Sequence, residues 1–125
     1  MSLFDDFAAE RHFEGRTRFL LGLARSLPAL ADRQPEDQVS GCEAKTWLRV
    51  AVVDDKLDLH GDSEARIVKG LMALLFSLYQ GQPLALARHI DARAEFERVG
   101  LAQFLSPSRA NGLYAMLAKI HGELD

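Results

Sequence analysis

Thiol is scarce in this chain: of its 125 residues only Cys42 is a cysteine. One thiol excludes an intramolecular disulfide and any centre that needs several thiolates, such as a four-cysteine zinc site or an iron–sulfur cluster. Any sulfur chemistry must therefore be intermolecular. Basic charge is also short, with 15 Lys and Arg against 18 Asp and Glu and a net charge of −3. No Lys/Arg cluster stands out, so the electrostatic footprint that draws proteins to phosphate backbones is missing and nucleic acid is not an expected partner. Long apolar runs are absent as well. The stretch Leu71 to Leu78 is far shorter than the ~20 residues of a membrane-spanning helix, and no membrane association is expected. Asp5 and Asp6 stand where a signal peptide carries basic residues, which makes a reducing cytoplasm the expected location. Glycine-rich phosphate loops, GxSxG and HExxH do not occur, so neither a bound cofactor nor a metal is expected.

What remains is ordinary in bulk. Hydrophobic residues make up 48% and charged residues 26% of the chain, the balance of a soluble globular protein. The length fits one domain over residues 1–125 with one core.

Phe7, Phe13, Phe19, Leu20, Leu23 and Leu27 recur at helical intervals, predicting one or two amphipathic helices over residues 3–27 with Gly15 as the break. Leu27-Pro28 ends this part, because the residue before proline is pushed out of the helical region. Residues Ala31 to Gly41 are polar and read as an exposed connection leading to Gly41-Cys42. From Thr46 to Val53 the pattern has a period of two, with Leu48, Val50 and Val52 on one face and Trp47, Arg49 and Ala51 on the other. Asp54-Asp55-Lys56 reads as a turn before Leu57 and Leu59, giving a β-hairpin. Asp62 or Ser63 is expected to cap a helix running to about Tyr79, with Glu64 near the positive end of its dipole. That helix is apolar nearly all round beyond Gly70, the mark of a core element. Gly81-Gln82-Pro83 ends it, and a short helix is expected over Leu84 to His89. Ser106-Pro107 starts the last helix, with Ser as N-cap and Pro at its first position. Ala110, Leu113, Met116, Leu117 and Ile120 line its inner face. Helices, a small antiparallel sheet and helices again make an α+β domain.

A lone cysteine is more often a small buried hydrophobe than a reactive group. Cys42 lies off any apolar period, follows a glycine that permits close approach of another molecule, and ends a polar loop. Those features make it the candidate nucleophile. A free thiol with pKa ~8.5 is only slightly ionised at neutral pH, so it needs a nearby cation or a partner to activate it. Lys45 and Arg49 are the nearby cations in sequence. His60 is the histidine that a hairpin brings nearest, but no spacing among the four histidines defines a Cys–His dyad. The acids Asp62 and Glu64 read as structural features of a helix start. Arg109, a cation in the first turn of a helix, opposes the dipole and is expected to have a carboxylate or carbonyl partner as a structural anchor.

Three blocks carry a family resemblance: Val39-Ser40-Gly41-Cys42-Glu43 with Trp47-Leu48, then Gly61-Asp62-Ser63-Glu64-Ala65-Arg66-Ile67-Val68-Lys69-Gly70-Leu71, then Leu105-Ser106-Pro107-Ser108-Arg109-Ala110-Asn111-Gly112-Leu113. In order and spacing the chain resembles the SufE/CsdE family of sulfur acceptors, over nearly its whole length. The resemblance implies a compact fold like that of iron–sulfur scaffold proteins. It also implies that Cys42 takes persulfide sulfur from a pyridoxal-phosphate cysteine desulfurase of the SufS/CsdA type, stimulates it and passes sulfur on for iron–sulfur cluster assembly. The pyridoxal phosphate belongs to the partner, and the downstream partner is an acceptor such as an iron–sulfur scaffold. Gly41, Asp62, Ser63, Glu64 and Arg109 fall on the family's surroundings of the cysteine. Ala44 and Thr46 depart from the Ser and Val common at those places, so no serine hydroxyl role transfers to residue 44. On this reading the protein is a sulfur-transfer accessory rather than a stand-alone enzyme. The alternatives are a desulfurase regulator that carries no sulfur, a cysteine hydrolase, and an iron–sulfur scaffold, the last disfavoured by its shortage of ligands.

Overall fold

The computed structural model describes residues 2–124. Helices α1 (Leu3–Ala9) and α2 (Phe13–Ser26) are followed by a polar segment containing the 3₁₀ turn Pro35–Asp37. Strands β1 (Thr46–Val53) and β2 (Lys56–Ser63) come next, then α3 (Arg66–Tyr79), α4 (Leu84–Ala87), α5 (Ala92–Arg98), α6 (Leu101–Phe104) and α7 (Pro107–Leu124). This is the α+β architecture expected. The α1–α2 break falls at Glu10–His12 and not at Gly15, which lies inside α2. Ser2 caps α1 in a reciprocal capping box with Asp5, which gives that short helix its own start. Helix α5 escaped the sequence reading, although Asp91 accepts a hydrogen bond from the Ala94 amide as its N-cap.

The strands pair antiparallel with Thr46 opposite Ser63 and Val53 opposite Lys56. Asp54 and Asp55 both adopt positive φ, 53° and 62°, the conformation of a two-residue hairpin turn whose twist matches the strands. Burial alternates over Thr46–Arg49, with Thr46 and Leu48 fully buried between partly exposed neighbours, and is lost towards the turn, where Val52 and Val53 are exposed. The hairpin lies on α3 so closely that a Cβ at Gly61 would collide with the Met72 sulfur. On the other side α2 crosses α3 with the Leu20 carbonyl in the place a Cβ at Gly70 would need. Helix α3 is thereby enclosed, and Leu71, Met72, Leu74, Leu75, Phe76 and Tyr79 form the centre of the core. Leu113, Met116, Leu117 and Ile120 of α7 complete it, burial that supplies the main driving force of folding.

One expectation is overturned at the hairpin's end. Asp62 and Ser63 do not cap α3; they are the last residues of β2, and α3 starts at Arg66 with Ala65 as a cap that makes no side-chain bond. The Asp62 carboxylate is buried. It takes hydrogen bonds from the Leu30 amide (3.2 Å), the Ser63 amide (2.9 Å) and Arg33 (2.9 Å), with Lys69 of α3 at 3.1 Å. The segment 31–41 is likewise not merely an exposed connection. Asp37 is buried and pairs with Arg49 of β1 at 2.6 Å, and Arg33 stacks over the Trp47 ring at 4.1 Å. Two internal ion pairs thus fasten the chain that leads to Cys42.

Burial by itself would raise the Asp62 pKa. The hydrogen bonds from Arg33, Lys69 and the Ser63 and Leu30 amides outweigh it and hold the carboxyl below its ordinary 3.8. A depressed carboxyl stabilises the fold above the unfolded-state pKa and loses that contribution as pH falls through the folded value. Asp62→Asn is predicted to cost roughly 2 kcal/mol at neutral pH, below the ~3–5 kcal/mol of a fully buried broken pair because Arg33 is part-exposed. Urea unfolding as a function of pH checks this: the loss should shrink below about pH 4.

Candidate active site around Cys42

The loop carrying Cys42 is closed at its base. The Val39 amide donates to the Thr46 carbonyl at 2.8 Å, Gln38 bridges to Trp47, and the Glu64 amide donates to the Lys45 carbonyl at 3.0 Å. Ser63 and Thr46 join their hydroxyls at 3.0 Å, and the Thr46 hydroxyl also donates to the Ala44 carbonyl at 3.0 Å. Residues 40–44 are thus a short excursion from a fixed neck, with Gly41 at φ 93° making the reversal that a side chain would oppose.

Cys42 is half-buried. It faces the second turn of α7, its Sγ 3.8 Å from the Gly112 carbonyl oxygen, to which the thiol donates a weak bond. A Cβ at Gly112 would sit 3.3 Å from the sulfur, so this glycine opens the space the thiol occupies. Around it is a recess of about 260 Å³ lined by Cys42, Glu43, Ala44, Ala65, Val68, Ser108, Arg109 and Gly112. Gly112 is the contributor the sequence reading did not single out. A glycine inside a helix costs about 1 kcal/mol relative to alanine, and that cost was the available signal.

Burial pushes the Cys42 thiol up from its ordinary pKa, and the nearby Thr46 hydroxyl works against this to a lesser extent. The free protein therefore holds the sulfur mainly as a thiol. Neither Lys45 nor Arg49 lines the recess, and Arg49 is committed to Asp37. No histidine lines it either: His60 is bonded to Asp58 at 2.9 Å and His121 to Tyr79 at 2.7 Å. A cysteine hydrolase has no histidine base here.

Arg109 corrects another expectation. Among the described residues its side chain has no carboxylate or carbonyl partner; only its backbone amide is bonded, to the Ser106 Oγ capping α7 at 3.3 Å. The guanidinium is exposed at the rim of the recess. The predicted residues thus divide into two groups. Cys42, Gly41 and Arg109 are at the loop and recess, whereas Asp62, Ser63 and the Glu64 backbone build the neck beneath.

The family described as SufE, an Fe-S metabolism associated domain, matches residues 1–124. The chain belongs to the SufE family. An uncharacterized SufE-like protein of Rhizobium etli is 36% identical over 97% of this chain and 86% of its own length. Another from Rhizobium meliloti is 34% identical over 98% and 92%. The solution structure of a hypothetical protein from Thermus thermophilus shares the fold, with a TM-score of 0.81 over 97% of this chain and 89% of that one, at 22% identity. In this SufE protein no described helix is long and apolar enough to cross a membrane.

Alkylation of Cys42 by iodoacetamide should be slow at neutral pH and still be climbing above the ordinary thiol midpoint, since only the thiolate reacts. Gly112→Val, which fills the space beside the sulfur, should expel it and raise the neutral-pH rate several-fold. An alkylation profile that levels off near pH 7 would contradict the protonated, recessed thiol.

Proposed function

We propose that this SufE protein accepts sulfur from a pyridoxal-phosphate cysteine desulfurase onto Cys42, stimulates that enzyme and hands the sulfur to an acceptor for iron–sulfur cluster assembly. The observation that carries the reading is a single, half-buried thiol on a glycine-containing loop, in a chain of this family, with no histidine beside it.

In the transfer, the Cys42 thiolate attacks the outer sulfur of the desulfurase's cysteine persulfide. A new S–S bond forms on Cys42, the old S–S bond breaks, and the electron pair departs on the desulfurase cysteine. No net oxidant is needed, and the Cys42 proton is given up as the thiol ionises. With no second cysteine to resolve the persulfide internally, the sulfur leaves only by an external acceptor. The recess favours the protonated thiol, so activation has to come with the partner. We infer that residues 40–44 swing out from the fixed neck into the desulfurase and return, shielding the loaded sulfur between encounters. Arg109 lines the recess and among the described residues has no side-chain partner, so it would attract the anionic sulfur or a partner carboxylate.

Incubation with a SufS/CsdA-type desulfurase and free cysteine, followed by intact-mass analysis, should show one added sulfur that is missing in Cys42→Ser. Amide exchange across residues 40–44 should change when the desulfurase is present, while that of the Val39 amide, bonded to Thr46, should not. If Cys42→Ser stimulates the desulfurase as well as the unaltered protein, the chain is a regulator that carries no sulfur, and the proposal falls.

A further inference from the structure

A second cavity opens beside the Cys42 recess and shares Ala65 and Arg109 with it. It measures about 440 Å³, and Phe13, Leu21, Ile67, Phe104 and Leu105 give it apolar walls. Phe13 is 66% exposed, an unusual position for a large aromatic ring, and rests at a tilt against Phe104 with centroids 5.1 Å apart. A further depression, lined by Ala24, Arg25 and Lys69, adjoins the cavity and shares Leu21 and Arg66 with it. Side by side, the two make a grooved face across α2, α3, α6 and the start of α7.

The groove's charge runs against that of the chain. Net charge is −3, yet no acidic residue lines these two cavities, while Arg25, Arg66, Lys69 and Arg109 do. Lys69 is paired with Asp62, a carboxylate it shares with Arg33. Among the described residues Arg25, Arg66 and Arg109 belong to no ion pair. Exposed apolar surface flanked by unpaired cations fits an acidic polypeptide segment bearing an apolar side chain.

We propose that this groove docks an acidic, apolar-tipped segment of the cysteine desulfurase, an inference that rests on the function proposed above. Mechanics favour the sulfur donor as the occupant. Loading requires residues 40–44 to leave the recess, and a partner gripping only that loop would lose its hold as the loop moved. The two cavities of the groove include none of residues 40–45. Their walls are mostly helical, from α2, α3, α6 and α7. Binding there holds the partner in place before, during and after the thiol's excursion, and Arg109 spans both sites.

Calorimetric titration of the desulfurase with Arg66→Glu and Phe13→Ser, beside Lys56→Glu at the far hairpin turn as a control, tests the proposal. Circular dichroism confirms folding. Each groove variant should weaken affinity by about tenfold, and Arg66→Glu should flatten its salt dependence. The control should change neither. Sulfur loading of Cys42 at saturating desulfurase should stay near that of the unaltered protein, because the thiol is intact. Unchanged affinity in both variants, with Cys42 still loading, overturns the groove but leaves the sulfur-carrier function standing. Unchanged desulfurase binding with impaired delivery to a sulfur acceptor would give the groove to that acceptor and also overturns the proposal. A dimer of this chain that Arg66→Glu dissociates would give it to a second copy and overturns the proposal likewise. Failure of the unaltered protein to bind the desulfurase or gain sulfur defeats the function itself and the groove's occupant with it.

Discussion

The buried carboxylate of Asp62 is the tie on which the site's geometry depends. It lies at the end of β2, yet its partners come from the segment after α2, at Leu30 and Arg33, and from α3, at Lys69. Removing a charge from water is costly unless its lone pairs are filled, and here amides and cations fill them from several directions. The carboxylate therefore requires the incoming chain, the hairpin end and the central helix to meet at one place. The Asp37–Arg49 pair repeats the device one step nearer the cysteine. Between them these pairs fix the neck from which residues 40–44 project.

That division between a rigid neck and a lightly held loop gives the chemistry its shape. The sulfur's hydrogen bond to Gly112 is long, at 3.8 Å, and thiols are weak donors. Little opposes withdrawal of the loop, while Val39, Lys45 and Thr46 remain fixed to the sheet and to Glu64. Burial also keeps the resting sulfur protonated, which protects the only thiol from oxidants and stray electrophiles. A site that is inert alone and competent on a partner suits a carrier of a labile sulfur atom.

Much of this was legible in the sequence, because local patterns governed it. The β1 alternation, the Asp54-Asp55 turn, the Leu27-Pro28 stop and the Ser106-Pro107 start all act over a few residues. The misreadings share the opposite cause. Asp62-Ser63 has the chemistry of a helix cap, but a cation 29 residues earlier in the chain, Arg33, recruits Asp62 instead, and the strand extends through Ser63. A cation in a first helical turn asks for a partner, which by itself makes Arg109 an anchor. Its exposure at two cavities depends on which helices surround it, and no local pattern encodes that. Cys42 stood out through its loop and through motif blocks spread over the chain, whereas Gly112 acquires its meaning only when α7 is laid against the loop.

Transfer of sulfur as proposed requires Cys42 to leave its recess and meet the reactive sulfur of a desulfurase, a meeting that can be trapped. Mild oxidation of the mixed proteins, with the desulfurase free of persulfide, should give one intermolecular disulfide joining Cys42 to the desulfurase's catalytic cysteine, identifiable by peptide mass. Such a bond forms only when the two sulfurs can approach to about 2.05 Å. A complex that forms yet never yields this disulfide, or yields one to a different desulfurase cysteine, would show that Cys42 does not reach the reactive sulfur.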